Sequence, residues 1–178
     1  MTEPRLNRLQ DYTQECRTLD VESFKKRHGH AFLIHRSDSP IARKRDGRRL
    51  TVNSMTVRDA EGIPMVPEAD LFVFPIRHGR HKQAGEFISV GRSASNDVII
   101  PFEPITRFHA LFSQDATGRF VVLDAGSKNG TFVNDRPVPM KDKSEPPEVK
   151  SGALIRMGPL SFTFLTAADF REFVTGQP

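Results

Sequence analysis

Apolar positions follow two rhythms along the chain, and the change falls near residue 70. Leu6, Leu9, Cys16, Leu19 and Phe24 recur among charged residues at spacings nearer a helical face than strand alternation. One or two short helices ending near Gly29 are therefore predicted. The compact apolar run "HAFLIHR" (30–36) predicts a short strand. The polar, basic stretch "SDSPIARKRDGRRL" (37–50), with Pro40 and Gly47, predicts an exposed loop. Residues 50–70 contain a β-rich segment, then a turn-rich connection through Gly62, Pro64 and Pro67.

From Leu71 onward, short β-rich segments follow one another closely. They are "LFVFPIR" (71–77), "GEFISVGR" (85–92), "DVIIP" (97–101), "HALFSQD" (109–115), "GRFVVLDAG" (118–126), "GTFVND" (130–135), "ALIRMG" (153–158) and "LSFTFLT" (160–166). The intervening "DATG", "SKNG" and "PVPMKDKSEPPEVKSG" are rich in turn formers, so the pattern predicts a mainly β, antiparallel sandwich. Thr166, three residues before Asp169, resembles a capping box opening a terminal helix that presents Phe170 and Phe173. The division that follows is an α/β N-terminal extension over 1–69, the sandwich over 70–166, and a short C-terminal helix and tail over 167–178.

Composition narrows the function classes. At 178 residues the chain fits one ordinary domain with an extension and can bury a real core. No apolar run approaches the roughly 18–20 residues of a membrane span, so no membrane role is expected. "MTEPRLNRLQDYTQEC" has no apolar signal core, which makes the cytoplasm the expected location. Cys16 is the single cysteine, so it forms neither an internal disulfide nor a cysteine-based zinc site. His28, His30, His35, His78 and His81 do not complete a zinc-ligand pattern, and neither metal nor cofactor is expected. The net charge of +4 tolerates anionic partners without demanding one. The run Arg43, Lys44, Arg45, Arg48 and Arg49 is read as a solvated loop in preference to a nucleic-acid or acidic-lipid contact.

Three polar segments fall where strands give way to loops: "VGRSASNDV" (90–98), "ITRFHA" (105–110) and "LDAGSKNGTFVN" (123–134). Taken singly, "GSKNGT" is a hairpin signal and His109 a core histidine. Taken together, "GRS-x-x-ND", "I-T-R-x-HA", "D-x-GS-x-NGT-x-VN" and then Gly158 resemble a forkhead-associated (FHA) domain over about residues 70–166. The resemblance does not extend to the N-terminal stretch. It implies an eleven-stranded antiparallel β-sandwich whose loops at one end bind phosphothreonine peptides, and no cofactor.

Such a ligand carries about −1.5 to −2 charges and three acceptor oxygens, so its receptor needs cations and donors without a general acid or base. The resemblance assigns Arg92, Thr106, Arg107, Lys128 and Asn129 to phosphopeptide binding. Thr106 stands where the family usually has serine, and Asn129 matches the asparagine that bonds the peptide main chain. Ser93, Asn96 and Ser127 are contacts or loop supports. Gly91, His109, Asp124 and Gly130 hold the site from behind. A small pocket for one methyl group, worth roughly 0.8 kcal/mol, would favour phosphothreonine over phosphoserine.

The reading that follows is a non-catalytic signalling module, bacterial in style, that acts downstream of Ser/Thr protein kinases. Its partner would be a phosphothreonine-containing protein, either such a kinase or its substrate. A self-binding version places a phosphate on Thr13 or Thr18 of the N-terminal extension. Nucleic-acid binding and phosphate-independent structural association are the alternatives. An enzyme with Thr106 as nucleophile and His109 as base is disfavoured: residues three apart on a regular strand face opposite sides, and Arg107 is a poor base.

Overall fold

The computed structural model describes residues 6–36, 57–58, 64–65, 71–79, 87–140 and 145–176. The basic run at 43–49, His81 and most of the connection over 50–70 lie outside the described residues. Along the chain come β1 (Asn7–Arg8), a 3-10 turn (Leu9–Tyr12), α1 (Thr13–Thr18), α2 (Val21–His28), β2 (Ala31–Arg36), β3 (Val57–Arg58) and β4 (Pro64–Met65). Then follow β5 (Leu71–Ile76), β6 (Ile88–Gly91), β7 (Val98–Ile99), β8 (Ala110–Gln114), β9 (Phe120–Asp124), β10 (Thr131–Val133) and β11 (Arg136–Pro137). The chain finishes with β12 (Glu148–Val149), β13 (Leu154–Met157), β14 (Leu160–Thr166) and α3 (Ala167–Thr175).

The strands form a seven-stranded sheet in the order β1-β5-β2-β14-β13-β10-β11 and a five-stranded sheet in the order β12-β9-β8-β6-β7. β3 and β4 make a separate two-stranded ladder. The protein is mainly β, as its strand rhythm predicts, and its ladders are antiparallel except at β6 and β7, which run parallel. The cause lies in Asp97. Its carboxylate accepts from the Ser89 amide (2.8 Å) and hydroxyl (2.7 Å), and its own amide donates to Ser89 Oγ (3.0 Å). The chain is thus drawn back to the start of β6, and the next residues run forward beside it.

β2 explains why "HAFLIHR" is a continuous apolar run rather than an alternating one. It lies between β5 and β14 in the larger sheet, and both of its faces are covered. Ala31 and Leu33 point into the sandwich core with Phe74, Phe112, Ile155 and Phe164. Phe32 and Ile34 point the other way, into a second cluster with Tyr12, Phe24, Phe170 and Val174 under the three helices. Its cross-strand register with β5 pairs Ala31 with Ile76 and Arg36 with Leu71.

The helices form a cap on the outer face of the larger sheet. Asp20 opens α2 by accepting from the Ser23 amide at 3.0 Å, and Gly29 closes it at φ +108°. An added Cβ at Gly29 would lie 2.9 Å from the Ile76 carbonyl oxygen, so both conformation and space call for glycine. Thr166 caps α3 as its spacing predicts, with Oγ1 donating to the Asp169 carboxylate at 2.7 Å. The Phe170 and Phe32 rings stack with centroids 4.1 Å apart. Arg171 ties α3 to α1 by donating to the carbonyls of Cys16 and Leu19. Cys16 is buried, which pushes its thiol up to about 11 and makes it a packing group rather than a nucleophile. No helix among the described residues is long and apolar enough to cross a membrane.

Phe170 is fully buried between the sheet and the other helices. Phe170→Ala is expected to lower unfolding stability by about 3–5 kcal/mol in urea denaturation.

Candidate functional site

β6 ends, β8 begins and β9 ends on one edge of the smaller sheet, since Val90 pairs with Ala110 and Ala110 with Asp124. β10 begins and β13 ends beside them on the larger sheet, where Thr131 pairs with Met157. The loops 92–97, 100–109 and 125–130 therefore converge at one end of the sandwich. The three polar segments singled out in the sequence supply these loops.

Hydrogen bonds lock the loops to one another. The Arg92 amide donates to the Thr106 carbonyl (3.0 Å) and the Ser93 amide to the Arg107 carbonyl (3.2 Å). Asn96, buried, donates from Nδ2 to the carbonyls of Ser93 (2.9 Å) and Arg107 (2.6 Å). Gly91 lies against this junction, and a Cβ there would stand 2.3 Å from the Arg107 oxygen. Only glycine lets the two chains approach so closely.

His109 joins the sheets. Its Nδ1 accepts from the Thr106 amide at 3.0 Å, and its Nε2 donates to the Gly130 carbonyl at 3.3 Å. The two partners assign the proton to Nε2 and leave no lone pair for the Thr106 hydroxyl. His109 is therefore not a base toward Thr106. Burial lowers its pKa, against smaller opposing effects of the Gly130 carbonyl and the Asp124 charge.

Asp124 organises the third loop. Its carboxylate accepts from the amides of Gly126 (2.8 Å) and Ser127 (2.7 Å) and from the hydroxyls of Ser127 (2.7 Å) and Thr131 (2.6 Å). Burial alone would raise its pKa, but the Thr131 and Ser127 hydroxyls and the backbone donors outweigh it and hold the carboxyl below the ordinary range. Gly130 then turns at φ +76° into β10.

On this frame stand the exposed polar groups. Arg92, Arg107 and Lys128 are exposed cations, and none has an acidic ion-pair partner among the described residues. Arg92 Nε donates to the Ile105 carbonyl at 3.2 Å, which fixes the guanidinium and leaves its Nη groups available. Thr106 Oγ1 accepts from the Lys128 amide at 3.1 Å, so its own proton remains to be donated. Asn129 Nδ2 donates to the Pro104 carbonyl at 3.0 Å. A Cβ on Gly158 would lie 2.9 Å from Asn129 Cβ, so Gly158 is what lets Asn129 sit there. All twelve residues named from the sequence lie on these three loops or the strand ends that carry them. The sequence did not reveal the Pro104 carbonyl as a partner, because a backbone acceptor leaves no trace in residue type. Nor did it single out Phe108, which lies half exposed between Arg107 and His109.

The family model for the FHA domain matches residues 88–158. The chain is 36% identical over 87 residues to sarcolemmal membrane-associated protein of Oryctolagus cuniculus, a match covering 44% of this chain and 11% of that one. It is 33% identical over 78 residues to glycogen accumulation regulator GarA of Mycolicibacterium smegmatis, covering 44% and 45% respectively. The chain thus spans less than half the length of these relatives. Among solved structures it is similar to Mycobacterium tuberculosis EmbR in complex with a low affinity phosphopeptide, at 18% identity and TM-score 0.42 over 76% of this chain and 24% of that one. It is also similar to an FHA domain from Chlamydia trachomatis, at 15% identity and TM-score 0.45 over 76% and 96%.

His109→Ala would leave the Thr106 amide and the Gly130 carbonyl without their partner, at an expected cost of about 3 kcal/mol in denaturant unfolding near pH 7.5. Because the folded pKa of His109 lies below the unfolded one, its contribution is complete above about 6.5 and is lost as pH falls through the folded value. The stability gap between wild type and variant should therefore narrow at pH 5.

Proposed function

With residues 88–158 belonging to the FHA domain family, we propose that the loop end of this sandwich binds phosphothreonine peptides and performs no catalysis. The observation that carries the reading is the joining of three loops around Thr106: Arg92 is tied by its Nε to the neighbouring Ile105 carbonyl, the Lys128 amide meets the Thr106 hydroxyl, and neither exposed cation has an acidic partner among the described residues. A phosphate dianion supplies what these groups lack. The Arg92 Nη groups give charge-assisted hydrogen bonds, the Thr106 hydroxyl donates a third contact, and the Lys128 ammonium balances the second charge. Arg107 adds a cation at the rim. Asn129, with one amide proton held by Pro104, keeps its Oδ1 and its other proton for the peptide main chain.

The ligand reaches the site from another molecule. Thr13 and Thr18 belong to α1, whose Cys16 is buried and whose C-terminal carbonyls are held by Arg171. Presenting either as an extended phosphopeptide would require α1 to leave the cap. The protein then acts as a reader in Ser/Thr kinase signalling, in the cytoplasm where such kinases find ATP, with the kinase or its substrate as partner.

Calorimetry with matched threonine and phosphothreonine peptides tests this. Binding should require the phosphate, and Arg92→Ala should weaken it by about 2 kcal/mol, roughly thirtyfold. It should also weaken below about pH 6 as the phosphate becomes a monoanion. Equal affinity for both peptides, or for wild type and Arg92→Ala, would overturn the proposal.

A further inference from the structure

We infer that Phe108 selects an apolar side chain in the ligand, close to the phosphothreonine. The inference rests on the phosphothreonine reading of the loop end and adds a second determinant to it. Three large apolar residues are exposed among the described residues: Phe108 (49%), Met140 (42%) and Leu154 (39%). Two of them stand at the rim of the proposed site. Phe108 directly follows Arg107, and Met140 bridges to Asp124, whose other neighbour is Ala110 at the start of β8. Two strand spacings, about 10 Å, separate Met140 from Ala110, which lies two residues beyond Phe108.

Phe108 is held still as well as exposed. On its N-terminal side the Arg107 carbonyl takes two hydrogen bonds, from the Ser93 amide and from Asn96 Nδ2. On its C-terminal side the His109 amide donates to the Val90 carbonyl, and the His109 ring is fixed at both nitrogens. Ile105, His109 and Ala110 turn inward and are buried, whereas Phe108 belongs to neither apolar cluster. Its ring stacks on no other aromatic ring among the described residues. Folding therefore gains little from a phenyl group at this position. A binding site gains more, because a rigid aromatic with only two side-chain torsions loses little entropy when a ligand covers it. Arg107, the cation at the rim of the phosphate site, is its immediate neighbour in the chain, so a peptide held at that site passes close to Phe108. Its occupant is a leucine, isoleucine, valine, methionine or phenylalanine side chain in the same peptide.

The test is a phosphothreonine peptide library, randomised over about four positions on each side, selected on wild type, Phe108→Ser, Phe108→Leu and Arg92→Ala. Wild type should enrich an apolar residue at one position. Phe108→Ser, melting at the wild-type temperature, should lose that enrichment and bind the selected peptide about fivefold more weakly. Its affinity for the same peptide with alanine at that position should be unchanged, and Phe108→Leu should restore the preference. Absence of apolar enrichment in wild type, or its persistence in Phe108→Ser, overturns the role of Phe108 while leaving phosphothreonine dependence intact. Undiminished selection by Arg92→Ala, or equal selection of an unphosphorylated library, overturns the underlying reading and this inference with it.

Discussion

One imidazole sets the distance between the two sheets at the end where the loops meet. His109 takes a proton donor from the 100–109 loop and gives its own proton to Gly130 at the mouth of the 125–130 loop. Everything exposed at that end is positioned relative to this bridge. Thr106 sits where it does because its amide is committed to His109. Lys128 follows because its amide in turn finds the Thr106 hydroxyl. The arrangement holds only while the ring is neutral, because a second ring proton would take away the acceptor that Thr106 uses. Burial keeps the ring neutral, so packing and site geometry depend on one condition.

The second organising constraint is the double burial of β2. Alternate residues of one strand serve two separate apolar clusters, so the sandwich and the helical cap share a wall. Phe32 stacks on Phe170 on one side while Leu33 packs into the sandwich on the other. The cap is thereby coupled to the sheet that carries β10 and β13, the strands whose ends support Asn129 and Gly158.

Much of this was legible in the sequence because it was written in period and residue type. Runs such as "LFVFPIR" and "GRFVVLD" are strands, Gly29 ends a helix, and Thr166 opens one. β1, β11 and β12 were not legible, since two residues carry no period. The parallel course of β7 was hidden for a different reason: it follows from a side-chain contact between Asp97 and Ser89, which no local pattern encodes. At the site, residue types named Arg92, Thr106, Lys128 and Asn129, and the order of motifs brought them into one family. Their partners were another matter. That Lys128 offers an amide to Thr106, or that Asn129 rests on the Pro104 carbonyl, depends on backbone groups that every residue shares. Threonine at position 106 has a stiff χ1, which helps hold its hydroxyl oxygen against the Lys128 amide.

The pairing of Arg36 with Leu71 has a consequence for how this chain can vary. The two residues are opposite partners in adjacent strands, so the sheet itself closes the ends of whatever the chain inserts between them. Closing a longer insertion costs only about 0.6 kcal/mol per doubling in length, and neither end would need to move. Arg36 and Leu71 thus form a closed junction on the sheet, where the length of the connecting chain leaves the register between β2 and β5 unchanged.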